Sequence, residues 1–138
     1  MKISQTIRVQ HGMSLIELMV VVLVVAILSV VAIPSYRGYM QRAQRTEAKD
    51  ALVRLANNQE RYYLQFNTYT SDVTALGFPV SGATDEGSYT VAVTAADRTG
   101  FTATATTASS GKMAADTQCA WFSIDEAGAR AAAGESCW

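Results

Sequence analysis

Histidine is all but missing from this chain of 138 residues: His11 is the only one, and Cys119 and Cys137 are the only cysteines. A lone imidazole in a segment ahead of a long apolar run leaves no material for a His-centred triad or a Cys/His zinc site. No nucleophile elbow or phosphate-loop pattern occurs either, so neither an enzyme nor a bound cofactor is expected. An excess of one charge sign is also lacking. The 11 basic and 12 acidic residues leave a formal charge of −1, which argues against a polybasic nucleic-acid binder. An apolar share of 49% excludes a disordered chain. The adjacent acids Asp85-Glu86 and Asp125-Glu126 lack the spaced oxygen ligands of a calcium loop and read as solvated turns.

Large aliphatic residues are scarce over most of the chain and crowded in one place. Residues 34–138 hold 12 Val, Ile, Leu and Met against 20 Ala, whereas residues 13–33 hold 16 of the 32 in the whole sequence. Of those 21 residues only Ser14, Glu17 and Ser29 are not apolar. A helix of that length rises about 31 Å, the thickness of a bilayer's hydrocarbon core. A run that is apolar on every side, with no turn residue before Pro34, reads as a membrane-spanning helix.

Such a segment has three possible fates: a permanent anchor, a removed secretory signal, or part of a precursor cut ahead of the helix. For the secretory fate, Lys2 and Arg8 form a basic start, Leu18 to Val31 the apolar centre, and Val30-Val31-Ala32 a site for a cut after Ala32. Glu17 speaks against it. A charge at the centre of a span costs about 2.5–3.5 kcal/mol; one near the end costs less but still wants a partner. Lys2 and Arg8 before the run and Arg37, Arg42 and Arg45 after it leave the orientation open. The two cysteines suit a pair in an oxidising compartment, which places the C-terminal part outside the cytoplasm; two buried free thiols are the alternative.

The stretch His11-Gly12-Met13-Ser14-Leu15-Ile16-Glu17-Leu18-Met19 is a basic leader ending in Gly, then four residues, then Glu at the edge of the apolar run. It resembles the processing site of a type IV prepilin with its N-terminal methylation motif, most like a minor pilin of the PilE kind. Residues 8–36 carry the specific part; Pro34 and the cysteine pair fit the same family. The resemblance implies that residues 1–12 are a leader, that a prepilin peptidase cuts between Gly12 and Met13, and that Met13 is then N-methylated. Gly12, without a Cβ, suits a tight protease cleft. The family commonly has Phe where Met13 stands. Glu17, fifth in the mature chain, would meet the amine of Met13 on a neighbouring subunit, an attraction that low dielectric strengthens. Residues 13–33 would then serve as membrane anchor and later as filament core.

Beyond the span, Pro34 either starts a new helical segment or kinks a continuing one, and Gly38 loosens the same turn. The resemblance implies that this stretch extends locally in a filament. Residues 34–66 show an amphipathic pattern, with Tyr36, Met40, Ala43, Ala48, Ala51, Leu52, Leu55, Tyr62 and Phe66 at three- and four-residue spacings. Arg42, Arg45, Lys49 and Arg54 lie largely off that stripe. Residues 67–87 read as a loop with a short helical turn near Asp72 to Leu76, in pilins a subunit contact. Alternation then predicts strands over Ser88–Thr94, Phe101–Thr107 and Cys119–Ile124, with a short fourth element over Arg130–Ala133. The fold class is α+β, a long N-terminal helix packed through its Leu52–Phe66 face on a small antiparallel sheet. By resemblance Cys119 and Cys137 close a C-terminal disulfide loop with 17 intervening residues, worth about 3 kcal/mol to a thin core.

Charge is uneven: residues 37–61 carry +3 and residues 62–138 carry −5. The acidic second part gives no support to nucleic-acid binding, and none is expected. The resemblance implies a structural pilus subunit, a minor pilin aiding assembly, twitching motility and adhesion. Its partners would be major and minor pilin subunits, the prepilin peptidase, the inner-membrane assembly machinery and the membrane itself. It would sit in the inner membrane with its head in the periplasm, then in an extracellular pilus. The rivals are a major pilin, a type II secretion pseudopilin, and a secreted periplasmic binding domain cut after Ala32.

Overall fold

The computed structural model describes residues 13–138. The expected leader, with the cleavage residue Gly12, lies outside the described residues. The chain divides into two compact units between Arg37 and Gly38, inside the Pro34–Gly38 stretch. A single helix, α1, covers Leu15–Phe66 with Pro34 inside it, so of the two expectations for Pro34 the continuing helix is the one found. Its end is explained locally. Asn67 adopts a left-handed φ of 51° and donates its N–H to the Tyr63 carbonyl at 2.8 Å, an Asn cap that stops the helix.

In the first unit, the side chains from Met13 to Ile33 are exposed almost throughout among the described residues. The second unit holds the core. Strands β1 (Tyr89–Ala96), β2 (Phe101–Thr107), β3 (Trp121–Asp125) and β4 (Arg130–Ala132) form an antiparallel meander in the order β1-β2-β3-β4. The inner face presents Tyr89, Val91, Phe101, Ala103, Ala105, Phe122 and Ile124. These form one cluster with Ala48, Ala51, Leu52 and Leu55 of α1 and with Leu76, Phe78 and Met113 from the loops. Alternation puts every second residue of each strand there, as the period of two requires.

Several expectations need correcting. The docked face of α1 is buried over Ala48–Gln59 with Tyr62 half-buried against the core beyond it, so it starts before the expected Leu52–Phe66 face and stops short of Phe66; Tyr36, Met40, Ala43 and Phe66 are exposed. Four strands about 4.8 Å apart cover only about as much helix as these twelve residues supply, at 1.5 Å each. The first strand runs on to Ala96 through a bulge between Val93 and Ala95. The third begins at Trp121, since Cys119 is drawn into the disulfide loop. Asp72–Leu76 is a pair of hydrogen-bonded turns, Leu76 N–H to Val73 O and Gly77 N–H to Thr74 O, and not a helix. Asp72 captures the Thr74 N–H and hydroxyl at 2.9 and 2.6 Å, the local bonding by which Asp competes with helix.

The outer edge of β1 is covered. Thr84 N–H donates to Tyr89 O and Val91 N–H to Gly82 O, so a returning loop pairs with it. Gly82 has φ 67°, and a Cβ there would collide with the Val91 carbonyl, so only glycine fits this approach.

Candidate functional site

The residues expected to carry assembly sit at the start of α1. Met13 is exposed, and Glu17 lies in the first turn of the helix, where the unpaired N–H groups favour a carboxylate. Leu18 N–H donates to the Ser14 carbonyl at 3.2 Å, so the helix is formed up to that turn. Ser29, the one hydroxyl deep in the apolar run, turns back to the Val25 carbonyl at 2.7 Å and needs no outside partner. The helix holds a stretch long and apolar enough to cross a membrane by length and composition. Gly38 is half-buried. A Cβ there would meet only the end of Arg42, whose Nε donates to the Gly38 carbonyl at 3.3 Å.

In the second unit Cys119 and Cys137 are joined, both buried, with Cα atoms 5.6 Å apart. Neither is a free thiol. Around the bridge stand groups that the sequence reading missed. Arg45 makes a two-pronged contact with Asp116: Nε to Oδ2 at 2.7 Å and Nη2 to Oδ1 at 2.9 Å, with both side chains nearly buried. Arg45 lies off the stripe that the spacing marks as buried, and Asp116 carries no motif. The one available signal was Asp116's place three residues before Cys119, whose N–H it accepts at 3.4 Å. The hydrogen bond from Arg45 holds the Asp116 carboxyl below its ordinary range, against the opposing effect of burial. The same contact raises Arg45. Burial pushes the neighbouring Tyr89 phenol up to about 12, with Asp116 adding to the effect.

Three further contacts fix the head. Gln59, fully buried, clamps Thr70 from both sides: Nε2 donates to the Thr70 carbonyl at 2.6 Å and Oε1 accepts its N–H at 3.0 Å. Asn58 Nδ2 donates to the Leu76 carbonyl at 2.9 Å. Beside the disulfide, Trp138 stacks edge-on to Phe122, lies under the Arg130 guanidinium, and donates its indole N–H to the Ala131 carbonyl at 2.6 Å. The open edge of β4 is thereby capped.

For chemistry the described residues offer little. A surface cleft of about 330 Å³ is lined by Glu47, Asp50, Arg54, Thr84, Asp85 and Glu86, and Arg54 already pairs with Asp85 at 3.0 Å. Among the described residues no group of three or more His, Cys, Asp and Glu is arranged to hold a metal ion.

Comparison with known proteins follows the same lines. The profile described as the prokaryotic N-terminal methylation motif matches residues 7–33. The profile described as type IV minor pilin ComP, DNA uptake sequence receptor, matches residues 34–123, about two thirds of the chain. No curated protein matches. Among solved structures, the non-core minor pilin PilV of Neisseria meningitidis is similar over 71% of this chain and 91% of its own, with a TM-score of 0.54 and 23% identity. At that identity the likeness concerns the fold: a long N-terminal helix packed on a small antiparallel sheet. Pilins are structural proteins, and the methylation motif with its apolar helix fits a membrane-anchored one. The profile names the ComP kind of minor pilin where the sequence resemblance pointed to the PilE kind. The chain belongs to the type IV minor pilin family that the ComP profile describes.

Proposed function

We propose that this protein is a minor subunit of a type IV pilus, cut after Gly12 by a prepilin peptidase and N-methylated on Met13. Residues 13–33 anchor it in the inner membrane with the head in the periplasm, and later join the helical core of an extracellular filament. There Glu17 pairs with the amine of a neighbour's Met13, and the subunit, alongside major and minor pilins, aids assembly, twitching motility and adhesion. The observation that carries this reading is a coincidence of register. A methylation motif over residues 7–33 ends in a helix whose first turn holds the single acid of the apolar run. Intact mass and N-terminal sequencing test it. A chain beginning at Met13 and one methyl group heavier supports it; one beginning at Ile33, as an ordinary secretory signal leaves, overturns it.

A second reading is capture of DNA, which the description of the matching family names for that receptor. The match over residues 34–123 favours it. Charge speaks against it: residues 62–138 are acidic on balance, and Arg45 and Arg54 are taken up by Asp116 and Asp85. The exposed cations of the sheet region are Arg98, Lys112 and Arg130. A gel-shift titration of the full chain with duplex DNA at low and at physiological salt decides. Phosphate contacts show as a salt-dependent affinity, and no shift at low salt removes the reading.

A further inference from the structure

The side of the sheet turned away from the core has a composition unlike the rest of the molecule. Cross-strand register lays it out in rows: Thr90, Thr106 and Trp121 in the first, Ala92, Thr104, Ser123 and Ala131 in the second. A third row joins Ala95, Thr102 and Asp125. Five hydroxyl side chains thus stand on a grid of about 4.8 Å between strands and about 6.8 Å along them. No Lys or Arg lies within these rows, and the one charge, Asp125, sits at a corner. Trp121 is 40% exposed at the end of the first row. Thr106 Oγ1 donates to the Thr90 carbonyl at 3.5 Å, so the hydroxyl oxygen keeps its capacity to accept.

We propose that this face binds an uncharged polysaccharide. The chemistry selects that occupant. A nucleic acid needs cations for its phosphates, and the rows have none. The core of a subunit interface is rich in large apolar side chains, and here nothing aliphatic exceeds Ala. A sugar polymer offers what remains: C–H faces that lie against an indole and hydroxyls that exchange hydrogen bonds with Thr and Ser. The neutral face also stands apart from the acidic balance of residues 62–138, so charge does not select for an ionic glycan. The proposal is independent of filament incorporation, because the isolated chain would bind. An adhesive pilus subunit would give the activity an obvious use.

The test is native electrophoresis of the full chain, kept soluble in a zwitterionic, sugar-free detergent, through gels cast with hydroxyethyl cellulose or with dextran. Retardation in either gel relative to a plain gel is expected. Trp121→Ala should weaken apparent binding about tenfold, the scale of one lost aromatic stack. Trp121→Phe should keep part of it, and Thr104→Glu, a charge set among the hydroxyls with the indole intact, should also weaken it. Thermal melts of all three variants separate these effects from unfolding. Unretarded wild-type protein in both gels overturns the proposal. So does equal retardation of well-folded Trp121→Ala and Thr104→Glu. A Trp121→Ala variant whose only change is a loss of self-association also overturns it, and assigns the face to a second copy.

Discussion

Arg45 and Asp116 are the head's most consequential pair of side chains. They join the helix to the loop before Cys119 across 71 positions of sequence, nearly out of water, with two parallel hydrogen bonds. Such a pair does little net work when complete but is costly to break, since the survivor is left charged and buried. Asp116→Ala should therefore destabilise the fold by about 2–4 kcal/mol, measured by denaturant titration. Arg45→Met, which fills the space without a charge, should leave Asp116 unpaired and cost a similar amount. The pH dependence has a definite sign. Asp116 has a lowered carboxyl in the folded state, so its contribution is fully present above the ordinary carboxylate range and is lost as pH falls through the folded value. Acid melts should show this loss in the wild type and a flatter profile in Asp116→Asn.

At the level of the element, α1 performs two tasks with two compositions. Its first part is aliphatic all round and exposed among the described residues; its second part buries one narrow stripe, Ala48 to Gln59. Leu52 and Leu55 are the large members of that stripe. Leu52→Ala should cost about 2–5 kcal/mol through lost burial and a residual cavity, read from the shift in unfolding midpoint. The same change at Leu64, which is 83% exposed, should alter stability by less than about 0.5 kcal/mol. The strands and their alternation were legible because Val91, Phe101, Phe122 and Ile124 recur at every second place. The extent of the helix's docked stripe was not, because Tyr36, Met40 and Phe66 keep the right spacing where no sheet lies beneath them. Spacing tells which side of a helix is apolar, not how far the opposing surface reaches.

For the whole molecule, two predictions matter most. Removing the Cys119–Cys137 bridge by a double Ala substitution should lower stability by about 3 kcal/mol and loosen the contacts of Trp138, seen as a change in its fluorescence. The chain's core is small and rich in Ala, so that loss is a large share of a marginal total. Glu17→Ala should leave cleavage after Gly12 largely intact while reducing recovery of the subunit in sheared filaments. Normal recovery would remove Glu17 from any part in assembly.

The sequence by itself determined the apolar span, the place of Glu17 within it, the strand alternation and the class of protein, because each is written in the order of neighbouring residues. Only the tertiary structure decided that Arg45 meets Asp116, that Gln59 grips the Thr70 backbone, that Trp138 caps the edge of β4, and that Trp121 shares a face with a grid of threonines. These relations join residues from 7 to 71 positions apart and depend on how strands register and loops return. Local spacing contains no record of them: the free energy that selects them comes from burial and desolvation of groups that meet only after the chain has closed.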